Sequence, residues 1–288
     1  MQRRIRVWVR SIWNLSATIV LLCLPGGCMH VRLGASDMLA PDDPPVASSL
    51  PAGYVVEDAL IRRAERVIGI TRAHRPGNRV VVIFCGGDSF RRSREGGSVL
   101  AALARDADVV LFDYPGFGTS TGSPTPDALL DNARATADYV ARLPHAAGQQ
   151  RLLYGFSLGG MVAAELARER PFDAMILEAT APDVASWART QIPWYAKPFV
   201  RVDLDPVLAD IDSVRALQSF SGRILILAGG RDEQAPPALS RKLAQGLTAL
   251  GRKAELREFP DAKHGEIYKA PTYRTVIDPF LASLVSAR

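Results

Sequence analysis

Leu152-Leu153-Tyr154-Gly155-Phe156-Ser157-Leu158-Gly159-Gly160-Met161 is the stretch on which the fold is decided. An apolar strand over residues 151–154 breaks into a Gly-x-Ser-x-Gly turn, and a helix rich in Ala, Leu and Glu follows over 158–168. A turn that tight holds its serine in strained backbone geometry at the end of a strand. The residues two before and two after the serine must then be nearly without side chain, and Gly155 and Gly159 meet that demand. The strand, turn and helix order marks Ser157 as a candidate nucleophile.

Working outward, the pattern on both sides alternates strands and helices. Strands are expected over 66–73, 80–84, 108–112, 174–177, 223–227 and 254–259, with helices over 94–105, 126–143 and 236–250 between them. The run Val80 to Phe84 is apolar without interruption, as strands buried on both faces are. Repeated alternation of this kind predicts an α/β fold with a doubly wound, mostly parallel sheet. Residues 181–220 break the rhythm. With Trp187, Trp194, Tyr195 and Phe199 and no strand pattern, that segment reads as a short cap whose aromatics, Trp187 and Trp194 first, would meet a nonpolar substrate group. Tyr114 is placed with them, because the loop from Asp113 to Pro124 crosses the carboxyl ends of the strands, where open α/β sheets bind ligands. Asp113, opening its Tyr-Pro-Gly turn, is read as a capping residue.

The chain of 288 residues is 48% hydrophobic and 23% charged, which suits one large α/β domain. Its formal charge of +5 owes four units to Arg3, Arg4, Arg6 and Arg10, so the rest of the chain is nearly neutral and nucleic acid is not expected as a partner. Those arginines precede an apolar run from Ile12 to Leu24 and then Pro25-Gly26-Gly27-Cys28, a secretory layout. The small residues before Cys28 are similar to a lipoprotein cleavage site, with Cys28 as the lipidated residue; plain secretion and a retained anchor are the alternatives. The expected organisation is a signal segment at 1–28, a tether at 29–52 and one domain at 53–288. The expected location is the bacterial cell envelope, exported and tethered to a membrane by its amino-terminal segment. Of three cysteines only Cys85 lies in the domain, so neither a disulfide nor a cysteine metal site is expected there; no metal or organic cofactor is.

A serine hydroxyl is a poor nucleophile at neutral pH and needs a base held in one tautomer by a carboxylate. Four histidines are present; His30 lies at the tether, and His74 and His145 lie on the amino side of strands. His264 alone follows a strand, on the edge where Ser157 is expected. Asp232, in a Gly-rich turn with four residues between it and the strand 223–227, gives the chain order Ser, acid, His. Glu178 and Glu233 compete for the acid's place. Cys85-Gly86-Gly87 just past a central strand would bring backbone N–H groups to a ligand as half of an oxyanion hole, with the N–H of Leu158 as the other half.

Taken as a set, Cys85-Gly86-Gly87, the loop Asp113-Tyr114-Pro115-Gly116-Phe117-Gly118-Thr119-Ser120, the elbow, Gly229-Gly230-Arg231-Asp232 and His264-Gly265 resemble the α/β-hydrolase superfamily, near its small-capped serine hydrolases. The resemblance covers residues 53–288. It implies Ser157 as nucleophile, Asp232 as acid, His264 as base, and Gly87 with Leu158 as oxyanion donors. That group commonly carries His-Gly-Asn where Cys85-Gly86-Gly87 stands, which leaves the first donor open between Gly87 and Asp88, and commonly carries Arg in place of Pro115. The expected activity is hydrolysis of a small acyl substrate, an ester before a thioester or amide, through an acyl-enzyme. Acyl transfer on the same residues, and a tethered binding protein with an idle site, are the alternatives.

Overall fold

The computed structural model describes residues 29–33, 50–144 and 148–286. Cys28, His145, the signal segment and most of the expected tether lie outside them.

The order of elements is β1 (Met29–Leu33), β2 (Val55–Arg63), β3 (Arg66–His74), β4 (Val80–Cys85), α1 (Gly96–Leu103), β5 (Asp108–Phe112), α2 (Pro126–Ala141), β6 (Gln150–Phe156), α3 (Leu158–Glu169) and β7 (Ala174–Glu178). Then come α4 (Val184–Thr190), β8 (Val200–Leu204), α5 (Pro206–Ala209), α6 (Ser213–Ala216), β9 (Arg223–Gly229), α7 (Pro237–Ala249), β10 (Ala254–Phe259), a 3₁₀ turn (Ile267–Lys269) and α8 (Tyr273–Ser286). Eight of the strands form one sheet in the order β10-β9-β7-β6-β4-β5-β3-β2, parallel from β10 to β5 and antiparallel at β3 and β2. The fold is therefore the mostly parallel, doubly wound α/β sheet that the alternating pattern predicts.

Every residue of β4, β5 and β7 is buried, because helices cover both faces. Val81, Ile83 and Cys85 pack on one side with Leu129, Ala133, Val162 and Leu243, from α2, α3 and α7. Val80, Val82 and Phe84 pack on the other with Leu100, Ile277 and Phe280, from α1 and α8. Pairing parallel strands puts all their carboxyl ends on one edge. The loops after β4, β6, β9 and β10 emerge there, and they carry the candidate site residues.

Two parts differ from the sequence reading. β2 is an additional edge strand whose charged residues Glu57, Asp58, Arg62 and Arg63 face solvent, a composition that blunts an open edge and hides its strand character. Within 181–220, where no strand was expected, β8 forms and pairs in parallel with β1, Met29 opposite Val200 through Leu33 opposite Leu204. Such a strand draws its stability from a partner some 170 residues away in sequence, which a local pattern does not register. Part of the segment expected as a tether is accordingly a strand.

Candidate active site

Ser157 stands between the last residue of β6 and the first of α3 with φ 54° and ψ −121°. A non-glycine residue there is strained by about 1–3 kcal/mol and persists only where its surroundings fix it. They do so through both of its backbone groups: Ser157 N–H donates to the Glu178 carbonyl at 2.9 Å, and its own carbonyl accepts from Gly160 N–H at 2.9 Å. The two flanking glycines are required by close approach rather than by φ. A Cβ on Gly155 would lie 2.6 Å from the Gly159 carbonyl oxygen, and one on Gly159 would overlap the carbonyls of Cys85 and Gly86. Packing α3 that tightly against the end of β4 brings the two candidate oxyanion segments together. Gly87 lies against the elbow, its Cβ position 3.1 Å from the Phe156 ring and 3.5 Å from Ser157 Cβ. Leu158, as the first residue of α3, has an N–H with no acceptor inside its own helix.

His264 and Asp232 are brought together by neighbouring strands. β9 and β10 pair in register to Phe259 opposite Gly229, and their loops are laced by Gly230 N–H to the Phe259 carbonyl (2.8 Å) and Arg231 N–H to the Ala262 carbonyl (3.0 Å). His264 Nδ1 lies 2.7 Å from Asp232 Oδ2. The other carboxylate oxygen, Oδ1, accepts from the backbone N–H of Gln234 (2.9 Å) and Ala235 (2.8 Å). The Asp232 side chain is wholly buried, so each of its oxygens is committed. The His264 ring packs on Phe156, centroids 4.9 Å apart, which sets the imidazole beside the residue preceding Ser157.

Glu178, the competing acid, is held elsewhere. Its Oε2 accepts from the Tyr154 hydroxyl, and Tyr154 is in turn hydrogen-bonded to Tyr273. Full burial pushes its carboxyl up to about 7, with the Asp232 charge acting in the same direction and Tyr154 and His264 against it. Glu233 is exposed. Asp88 sits one residue past Gly87; burial raises its carboxyl, opposed by hydrogen bonding to Ser89 N–H and by the charges of His264 and Arg91. Cys85 is fully buried and its thiol is pushed up to about 12, the behaviour of a small apolar core residue.

The expected substrate contacts fare unevenly. Tyr114 is completely buried and leaves no surface for a ligand; its hydroxyl donates to the Gly86 carbonyl at 3.0 Å and so braces the loop that carries Gly87. An aromatic residue one step past Asp113 looks like a pocket wall in sequence, whereas in the fold its ring turns under the sheet edge against Phe112. Trp194 is 82% exposed and stands out in solvent. Trp187 packs with Met161, Val184 and Leu208, and its Nε1–H donates to the Gln234 carbonyl at 3.1 Å, next to the acid turn. Asp113 accepts from Arg92 N–H (2.9 Å) and Arg92 Nε–H (2.8 Å), a buried structural pair.

Sequence reasoning missed a groove of about 670 Å³ between α2, α3 and residues 207–218. Leu158, Met161, Leu130, Leu208 and Ile211 line it, with Arg134, Glu165 and Arg168 also on its wall. It begins at the residue after Ser157. The sequence signal was the apolar stripe of α3, indistinguishable from an ordinary core face. Among the described residues no cluster of side chains could hold a metal ion, and no helix is long and apolar enough to cross a membrane.

Comparison with known proteins agrees with this architecture. A family described as the alpha/beta hydrolase fold matches residues 78–205. The uncharacterized protein Rv2307c of Mycobacterium tuberculosis is 30% identical over 203 residues, 69% of either chain. The lysophosphatidylserine lipase ABHD12 of Danio rerio is 28% identical over 192 residues, 60% of this chain and 50% of that protein. Among solved structures, the Pyrococcus furiosus esterase Pf2001 superposes with a TM-score of 0.62 at 16% identity, covering 86% of this chain and 96% of its own. A serine in a strained turn between β6 and α3, at the carboxyl edge of a mostly parallel sheet, within a chain that shares sequence with these relatives, makes the protein a member of the α/β-hydrolase superfamily.

Proposed function

We infer that the protein is a serine hydrolase that cleaves a carboxylic ester through an acyl-enzyme. Ser157 Oγ attacks the ester carbonyl while His264 Nε2 takes its proton. Asp232 holds the imidazole with its proton on Nδ1 and stabilises the imidazolium that forms. The oxyanion of the tetrahedral intermediate is met by the N–H groups of Gly87 and Leu158. Collapse expels the alcohol, which receives its proton from His264. Water then attacks the acyl group by the same route in reverse and frees the acid and Ser157.

The observation that carries this reading is the 2.7 Å contact of His264 Nδ1 with a buried Asp232 whose remaining oxygen is already committed, beside a serine held at φ 54°. An acyl ester is favoured by the groove beyond Leu158, whose apolar residues suit a hydrocarbon arm, and by the kinship with a lysophosphatidylserine lipase. From Leu158 to Arg168 the groove follows α3 for about 15 Å at 1.5 Å per residue. The segment 181–220 acts as the cap over this side. Export and attachment to a membrane through the amino-terminal segment belong to the same proposal.

A series of p-nitrophenyl esters of increasing acyl length tests it. Each methylene that enters the groove contributes about 0.8 kcal/mol, or roughly a fourfold gain in kcat/KM, until the groove is full. Ser157→Ala and His264→Ala are each expected to lower kcat by roughly 10⁴-fold or more in a folded protein. A Ser157→Ala variant that keeps its rate overturns the assignment, and a flat length series with activity intact removes the acyl groove alone.

A further inference from the structure

The segment between α4 and β8 carries a feature that the proposed reaction does not use. Trp194, Tyr195 and Phe199 are 82%, 55% and 66% exposed, three large rings in six residues on the surface. They are not on a loose strap. Ala196 and Lys197 N–H both donate to the Pro193 carbonyl, at 2.9 and 3.2 Å, Phe199 N–H donates to the Ala196 carbonyl at 2.9 Å, and Trp194 and Tyr195 meet edge to face at 5.9 Å. The rings are therefore held out by a folded turn, against the tendency of apolar surface to leave water. From Arg189 to Arg201 the chain has three basic residues, Arg189, Lys197 and Arg201, all exposed, and no acidic one.

The neighbouring strand says what this turn faces. Phe199 is followed at once by β8, and its first residue, Val200, pairs with Met29, the first residue of β1. Met29 is joined covalently to Cys28, and the apolar run from Ile12 to Leu24 lies just before that. An anchor of either expected kind, a lipid on Cys28 or a retained apolar run, would precede Met29 directly, and Met29 is paired beside the end of the aromatic turn. Aromatic rings with basic residues around them suit the boundary between headgroups and hydrocarbon, and basic residues add attraction to anionic lipid.

We propose that the turn from Pro193 to Phe199 is a bilayer-docking surface, seated in the interface of an anionic membrane beside the amino-terminal anchor. Gln191, two residues before Pro193, donates from Nε2 to the Gln234 carbonyl at 3.0 Å, which ties the turn to the loop bearing Asp232. Docking therefore holds the catalytic edge of the sheet near the lipid surface. The inference rests on the amino-terminal anchor proposed above, not on the reaction assigned to Ser157.

The test uses the full chain mixed with vesicles of phosphatidylcholine and phosphatidylglycerol, with and without bromine on the acyl chains. Subtracting the emission of a Trp194→Phe variant isolates Trp194 from Trp8, Trp13 and Trp187. Brominated lipid is expected to quench more than about half of the Trp194 emission, and Phe199→Asp, which leaves far-ultraviolet circular dichroism unchanged, is expected to lower that quenching at least about twofold. Trp194 emission that is blind to bromine and open to dissolved iodide overturns the proposal. So does emission shielded from iodide without any vesicles, since a second copy of the chain would then cover the turn.

Discussion

Asp232→Asn is a perturbation whose outcome the geometry dictates. Oδ1 of Asp232 accepts from the N–H groups of both Gln234 and Ala235, at 2.9 and 2.8 Å, while Oδ2 faces His264 Nδ1 at 2.7 Å. An asparagine can satisfy the two backbone donors only by turning its carbonyl oxygen to them. Its NH₂ group then faces Nδ1 and demands an acceptor there, which moves the imidazole proton to Nε2. A histidine protonated on Nε2 has no lone pair to offer the serine, so the base is lost although every side chain keeps its place. A wrong tautomer of this kind costs roughly 10³–10⁴ in kcat, which at about 1.36 kcal/mol per decade is about 4–5.5 kcal/mol of transition-state stabilisation. Folding should suffer much less, about 1–3 kcal/mol, because both backbone hydrogen bonds survive and only a charged bond becomes a neutral one. Stopped assays of kcat on a p-nitrophenyl ester, beside urea unfolding of the same samples, separate the two effects. A Asp232→Asn enzyme within tenfold of wild type refutes the reasoning, and refutes it most usefully if Glu178→Gln has instead lost about 10³-fold.

Two further perturbations follow from the packing around the elbow. Glu178 is buried, and its carboxyl is pushed from an ordinary 4.5 up to about 7, so the folded state holds its proton more tightly than the unfolded chain does. That contribution is fully present below about pH 4.5 and is lost as pH rises through 7, at about 1.4 kcal/mol per unit, or about 3 kcal/mol over the window. Glu178→Gln, which keeps an acceptor for the Tyr154 hydroxyl, should flatten this part of the profile and gain on wild type between pH 5 and pH 8 in urea midpoints; parallel profiles would show that Glu178 is not the titrating group. Gly159→Ala puts a methyl group into the Cys85 and Gly86 carbonyls, which are backbone and cannot yield, and should cost more than about 3 kcal/mol. Gly148→Ala, where a Cβ meets none of the described residues within 4 Å, should stay within about 0.5 kcal/mol, and a thermal melt that ranks the two alike contradicts the close packing at the elbow.

What was legible in the sequence is what local chemistry demands. Gly155 and Gly159 announce the elbow because nothing else fits between β6, α3 and β4. The uninterrupted apolar runs of β4, β5 and β7 announce burial on both faces, and from these the sheet follows. Asp232 and His264 could be chosen because each stands in a loop just past a strand, and the fold sets those strands side by side. What was not legible depends on partners distant in the chain. β8 exists through pairing with β1, the buried position of Tyr114 depends on how the end of β5 meets the loop from β4, and the neutral tendency of Glu178 comes from the depth at which β7 ends. The groove beyond Leu158 is formed by helices joined only in three dimensions, so the stripe on α3 that lines it reads as ordinary core.

The central claim is that Ser157 is a nucleophile armed by His264 and Asp232. Treating the full-length protein with a fluorophosphonate and locating the adduct by peptide mass spectrometry tests it without knowledge of the substrate. A single phosphonyl group is expected on Ser157, absent from Ser157→Ala and formed at least about 10³-fold more slowly in His264→Ala. An unlabelled wild-type protein, or an adduct on any other residue, would contradict it.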